Sequence, residues 1–251
     1  MPPERTQPPD GAVSIAVLYP ELLGTYGDGG NAVVLAQRLR WRGVGADVVE
    51  VGAGEVVPTS CDLYLMGGGE DGPQALAARE LAESRALHTA VDGGAVVFGV
   101  CAGIQVLGHE FANPDGSAHP GLGLLDCRTV RGSGRRAVGE LLVEPTLDGL
   151  PVLTGYENHG AVTHLGPSAQ PLGRVVAGVG NGTGDRTEGA VSGRILATYL
   201  HGPALARNPS LADLLLSWVV GDLAPLDDAE VEDLRTERFQ AVRRSRWLRR
   251  R

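Results

Sequence analysis

Ala95-Val96-Val97-Phe98-Gly99-Val100-Cys101-Ala102-Gly103-Ile104-Gln105-Val106-Leu107 runs from an unbroken apolar segment of strand length, through a glycine-flanked turn, into residues with helical spacing. A strand apolar on both sides belongs inside a parallel sheet covered by helices, and a sharp strand-to-helix turn pushes its central side chain out at the carboxyl end of that sheet. Open α/β sheets place their ligands at this end. Gly99 and Gly103 are the small residues that so crowded a turn requires. The helix that follows offers unpaired backbone N–H groups and a positive dipole end, which lower a thiol pKa and hold a developing oxyanion. Cys101 is therefore a candidate nucleophile. Free cysteines are commonly buried and inert, so GVCAG by itself favours a core thiol over a nucleophile.

The segments on the amino-terminal side repeat the strand and helix alternation. Ser14 to Tyr19 reads as a strand and Pro20 to Gly30 as a loop, and Asn31 to Arg42 reads as a helix with Asn31 as its cap. Asp47 to Val51 and Asp62 to Met66 read as strands, and Gln74 to His88 as one helix. The fold class is α/β, with a mostly parallel sheet flanked by helices. Beyond Gly121 the texture changes to short apolar runs, Ala137 to Val143, Val152 to Tyr156, Arg174 to Val179 and Gly189 to Tyr199, separated by Gly, Pro, Asn and Asp. These predict additional antiparallel strands in the second half. The glycine-rich NGTGDRTEG of residues 181–189 reads as a hairpin or mobile loop, because it lacks the strand-to-helix context of a phosphate loop. The expected organisation is a disordered extension over 1–13, a main domain over 14–221, and a carboxyl-terminal helix with an arginine-rich tail over 222–251. In that last part Val231, Leu234, Phe239 and Val242 share a helical face, and Arg243 to Arg251 read as a solvated tail in preference to a contact for anionic lipid headgroups.

Composition removes several function classes. The 251 residues carry a formal net charge of -8, which speaks against a nucleic-acid binder. All basic residues apart from histidine are arginine, so neither a P-loop lysine nor a Schiff-base lysine is available. The 3 cysteines, Cys61, Cys101 and Cys127, are too widely spaced for a zinc motif and odd in number for a disulfide framework. With no signal-like or membrane-spanning segment, the chain is expected to be cytoplasmic.

A thiolate nucleophile needs a base. Of the 6 histidines, His201 ends the strand-like Ile195 to Leu200 and is followed by Gly202-Pro203, which places it at a sheet edge near the Cys101 turn. His159, in Tyr156-Glu157-Asn158-His159-Gly160, ranks second, and His88, His109, His119 and His164 read as ordinary polar residues.

Taken in order, Gly67-Gly68-Gly69 after a strand, GVCAGIQVLG from Gly99, GYENHG from Gly155 and TYLHGP from Thr198 resemble the class I, triad-type glutamine amidotransferases, in the subgroup similar to cobyric acid synthase. Within it, YPELLGTYGDGGNAVVLAQR, GGGEDGPQ and ENHGAVTH resemble the GatD-type glutaminase subunits of lipid II isoglutaminyl synthase. The resemblance spans roughly Ser14 to Gly221 and implies a flavodoxin-like sheet.

The resemblance further implies Cys101 as nucleophile and His201 as general base, with an oxyanion hole from the Ala102 N–H and a second N–H of the Gly67-Gly68-Gly69 loop. It implies that Gln105 helps to hold glutamine, and that an arginine in Arg135-Arg136 holds substrate, with Arg136 preferred. It implies no cofactor in this chain, and a heterodimer with a Mur-ligase-like synthetase subunit that uses ATP and magnesium and carries lipid II, at or near the inner face of the membrane. The rival readings are an amidotransferase feeding a cobyrinic-acid-type acceptor and a non-enzymatic binding or regulatory module on the same fold. One departure stands out. Many triad amidotransferases carry a glutamate two residues after the histidine, where this chain has Pro203. Proline cannot accept a hydrogen bond from imidazole, so the expectation is a carboxylate supplied by the partner subunit.

Overall fold

The computed structural model describes residues 11–113 and 115–248, the last six of these by backbone alone. Residues 1–10 of the extension expected over 1–13, and the end of the arginine tail, lie outside the described residues, while Val13 already belongs to the first strand.

The first half is built as its apolar runs demand. Strands β1 (Val13–Leu18), β2 (Ala46–Val51), β3 (Leu63–Met66) and β4 (Val96–Val100) alternate with α1 (Pro20–Leu23), α2 (Gly30–Trp41), α3 (Asp71–Ser84) and α4 (Ala86–Asp92), and α5 (Ala102–Leu107) follows β4. The single helix expected over Gln74 to His88 is two. Arg85 adopts φ 51° and ψ 13°, the left-handed conformation that closes one helix and opens the next. The strands of the second half are β5 (Glu110–Ala112), β6 (Ala118–Pro120), β7 (Cys127–Arg131), β8 (Ala137–Pro145), β9 (Leu153–His159), β10 (Ala161–Leu165), β11 (Gly173–Ala177), β12 (Thr187–Glu188), β13 (Ala190–Ser192) and β14 (Ile195–Thr198). Three helices close the described chain, α6 (Ala204–Arg207), α7 (Pro209–Val220) and α8 (Ala229–Leu248). The short strands β5 to β7 and β10 and the helices α1, α6 and α7 were not anticipated from the sequence, and α1 opens the stretch Pro20 to Gly30 that reads as a loop. Among the described residues no helix is long and apolar enough to cross a membrane.

Six strands form the main sheet in the order β13-β14-β4-β3-β1-β2, parallel except for the edge strand β13. The chain leaves β1 for β2 on one side and returns to β3 on the other, so the loops after β1 and β3 diverge and leave a crevice at the carboxyl ends. The loops after β1, β3, β4 and β14 carry Asp28, Gly67 to Gly69, Cys101 and His201. Two four-stranded sheets, β10-β7-β5-β6 and β12-β11-β8-β9, make up most of the second half. NGTGDRTEG connects β11 to β12, which pair antiparallel, so the hairpin reading holds and the phosphate-loop reading falls.

The antiparallel part reaches the main sheet through backbone. His201 donates its N–H to the Tyr156 carbonyl at 2.8 Å and accepts from the Tyr156 N–H at 3.0 Å, which ties the third residue after β14 to the centre of β9. Gly155 permits this approach, because a Cβ there would lie 2.6 Å from Leu200 Cδ2.

Candidate active site

Cys101 sits where β4 ends, with φ 53° and ψ -102°. Such a conformation costs a non-glycine residue about 1–3 kcal/mol and persists only where the surroundings dictate it. Here they do. The Cys101 N–H bonds to the Thr198 carbonyl at 2.8 Å, and its own carbonyl accepts from the Ile104 N–H at 3.1 Å. A Cβ on Gly103 would stand 2.8 Å from the Met66 carbonyl oxygen, and one on Gly99 2.9 Å from Leu107 Cδ1, so neither position has room for a side chain. The motif is thus a consequence of helix α5 lying hard against β3 and β4.

The other two cysteines differ. Cys61 and Cys127 are buried and take no part in the crevice, and burial raises both thiol pKa values, that of Cys127 to about 12. Cys101 alone of the three lines the pocket at the carboxyl end of the sheet.

His201 is buried at 2 % exposure. Its Nδ1 lies 3.1 Å and 3.3 Å from the two carboxylate oxygens of Asp28, which is itself buried. A carboxylate on Nδ1 places the proton there and leaves Nε2 as the basic nitrogen. Nε2 is buried and has no partner within hydrogen-bond geometry, yet the Cys101 thiol is near enough to act on the imidazole. Burial works to lower the His201 pKa, but the hydrogen bond to Asp28, the interaction with Cys101 and the charges of both outweigh it and push the value up to about 9. The ring of Tyr26 covers His201 with centroids 4.7 Å apart.

Asp28 corrects the expectation of a carboxylate supplied by the partner subunit: the chain supplies its own from the loop after β1, 173 residues before His201. The sequence signal was a lone aspartate among glycines in TYGDGGN, following a parallel strand. Asp28 also accepts the Gly68 N–H at 2.9 Å. That N–H is therefore committed, and of the three loop glycines Gly69 is the one that lines the pocket. Gly68 is small for a visible reason, since a Cβ there would meet His201 Cε1 at 2.7 Å.

The pocket in front of Cys101 is lined by Gly69, Gln105, Arg136 and Asn158 among others. Arg136 donates to Asn158 Oδ1 at 2.6 Å and to the Asn158 carbonyl at 3.2 Å, while Arg135 is not part of the lining. Gln74, a residue not singled out from the sequence, is buried and donates from Nε2 to Gln105 Oε1 at 3.0 Å, which fixes the orientation of the Gln105 amide. Ala102 opens α5 directly behind the thiol, so its N–H is one of the unpaired donors at a helix start.

His159 reaches the pocket wall but serves packing: it stacks on Tyr199 at 4.0 Å between centroids, and its Nδ1 lies 3.2 Å from the Ala161 carbonyl. Tyr199 in turn shares a hydrogen bond of 2.6 Å with Thr163, which shares one of 2.9 Å with Thr129. This chain of buried hydroxyls fastens the end of β14 to β10 and β7. Among the described residues no group of three or more His, Cys, Asp or Glu side chains is placed to hold a metal ion.

Comparison with known proteins agrees with this geometry. Residues 14–209 match the model of the CobB/CobQ-like glutamine amidotransferase domain. The chain is 37% identical over 196 residues to a protein of Staphylococcus aureus named lipid II isoglutaminyl synthase (glutamine-hydrolyzing) subunit GatD, covering 77% of this chain and 79% of that one. Its namesake in Streptococcus pneumoniae is 32% identical over 209 residues, covering 82% and 79%. A solved glutamine amidotransferase superposes with a TM-score of 0.56 at 24% identity, over 82% of this chain and 98% of the other, and a second, from Thermotoga maritima, with 0.50 at 17% over 82% and 83%. A strained cysteine elbow backed by a histidine and an aspartate, within a sequence match over most of its length, places this chain in the CobB/CobQ-like glutamine amidotransferase family.

Proposed function

We propose that the chain is the glutaminase subunit of a lipid II isoglutaminyl synthase, which hydrolyses L-glutamine and passes the ammonia to a synthetase partner. The hydrolytic half rests on one observation, the strained Cys101 elbow beside a His201 whose Nδ1 is held by Asp28. The choice of acceptor rests on the two relatives that carry that name.

In this reading His201 Nε2 takes the Cys101 thiol proton as the sulfur attacks the side-chain amide carbon of glutamine. The carbonyl electrons move to oxygen, and the N–H groups of Ala102 and Gly69 hold that charge in the tetrahedral adduct. The imidazolium returns its proton to the amide nitrogen, ammonia leaves, and a glutamyl thioester remains on Cys101. Water, deprotonated by His201, adds to the thioester, the thiolate leaves, and glutamate is released. The raised pKa of His201 suits the first step, because Asp28 stabilises the imidazolium that forms when Nε2 takes the proton. Gln105 holds the bound glutamine and Arg136 its α-carboxylate. The partner is a Mur-ligase-like subunit that uses ATP and magnesium to activate the D-glutamate α-carboxylate of lipid II, and the complex works in the cytoplasm at the membrane face.

The test is reconstitution. The chain with such a synthetase, ATP, magnesium, L-glutamine and lipid II should yield lipid II lighter by about one mass unit, the change from carboxylate to amide, and the product should be lost with Cys101→Ala but restored by free ammonia. Glutamine hydrolysis with no amidated lipid II, but with an amidated corrin acid when a corrin synthetase is supplied, would transfer the chain to the cobyrinic-acid reading.

A further inference from the structure

The mouth of the Cys101 pocket is divided by charge. Glu70 and Asp71, the cap and first residue of α3, line it together with Arg136. Between Glu70 and Arg136 stands the Tyr26 hydroxyl, which donates to Glu70 Oε1 at 3.5 Å and accepts from an Arg136 terminal nitrogen at 3.4 Å. The carboxylate and the guanidinium are thus kept one hydroxyl apart and are not in contact with each other. Glu70 is not consumed in building the fold: its side chain forms no capping bond with α3, and among the described residues the long contact from Tyr26 is its hydrogen bond. Opposite charges that could pair and do not are arranged for a ligand that carries both signs. A carbon bearing an ammonium and a carboxylate fits between groups this far apart, with the ammonium toward Glu70 and the carboxylate toward Arg136.

We propose that Glu70, supported by Asp71, reads the free α-ammonium of L-glutamine, so that the pocket accepts the free amino acid and refuses peptide-bound or N-acylated glutamine. The proposal rests on the glutamine reading above and adds a specificity-determining residue to it. Acylation of the α-nitrogen removes the charge that Glu70 attracts and adds a group where Glu70 and Tyr26 already stand, so the discrimination has both an attractive and a repulsive element. A charge-assisted hydrogen bond of this kind sets a preference of roughly tenfold or more.

The experiment compares two reagents on the Cys101 thiol of wild type and Glu70→Gln, followed by intact-protein mass. Diazo-oxo-norleucine carries the amino-acid head of glutamine, and iodoacetamide carries neither charge. Glu70→Gln should slow alkylation by diazo-oxo-norleucine by about tenfold or more and leave the iodoacetamide rate unchanged. In hydrolysis assays the same variant should raise KM for L-glutamine and have no effect on glutaramate, which lacks the ammonium. Equal slowing of both reagents, or no slowing of either, would overturn the assignment of Glu70. A wild-type chain that reacts with iodoacetamide but not with diazo-oxo-norleucine would instead overturn the glutamine reading on which it rests.

Discussion

The two reacting side chains reach the same crevice by opposite means. Cys101 is placed by its neighbours in sequence: one strand, two glycines and one helix determine its backbone, and the contacts that hold it come from strands β3 and β14 beside it. His201 is placed by residues far from it. Its ring is oriented by Asp28, its backbone by Tyr156, and the strand before it by a hydroxyl chain from Tyr199 to Thr129. A nucleophile can be specified locally because a strained turn has few solutions. A base must be aimed at another side chain, and that takes two more elements of the fold.

The difference can be broken from either side. Substituting Cys101→Ala removes the attacking atom, and glutamine hydrolysis should fall by about 10⁴-fold or more, to the background of the assay, with glutamine still bound in calorimetry. Retained turnover would mean that some other group performs the attack. Asp28→Asn tests the remote side. It keeps the shape but can present an amide N–H toward Nδ1, which favours the wrong tautomer, so kcat/KM should fall roughly 100-fold or more. The pH dependence carries the sign. The His201 pKa is raised in the folded chain from 6.5 to about 9, so the stability it contributes is complete below pH 6.5 and is lost as pH rises through 9. By linkage that is at most about 3 kcal/mol. In Asp28→Asn the decline in denaturation midpoint between these pH values should flatten, and the alkaline limb of kcat/KM should move to lower pH. A variant whose stability falls with pH as steeply as wild type would show that Asp28 does not hold the proton on His201.

The same contrast explains what could be read in advance. The parallel half was legible because each strand is an apolar run and each helix has its period, and because GVCAG reports a turn in which Gly99 is demanded by Leu107 and Gly103 close by in sequence and Gly103 by Met66 on the adjacent strand β3. The antiparallel half gave its strands only in part, since β5, β6 and β7 are short and carry polar residues on one face. The partner of His201 was missed for a related reason. The position two residues downstream holds Pro203, which directs the expectation to another subunit, although Asp28 follows β1 at the carboxyl end of the same sheet. Loops at the carboxyl end of one parallel sheet meet in space although they are remote in sequence, here across the two strands that separate β1 from β14, and only the strand order reveals which of them can. Gln74 was hidden in the same way, as one more polar position on a helix expected to begin there.

Gln74 therefore offers the mildest test of whether remote support extends to substrate binding. Its buried amide donates to Gln105 Oε1, so the Gln105 NH₂ group is turned toward Tyr199 and the pocket. Gln74→Leu removes the donor at similar volume and frees the Gln105 amide to turn, which should raise KM for glutamine by up to about tenfold while kcat changes little. Gln74→Glu is the sharper variant. A carboxylate at 74 can only accept, so Gln105 must turn its NH₂ toward it and present its carbonyl to the substrate. If the orientation matters, Glu at this position should raise KM more than Leu does, even though it restores a hydrogen bond. If the two variants are equal, or if kcat falls with KM unchanged, Gln74 supports the packing of α3 on α5 and does not orient Gln105 for substrate.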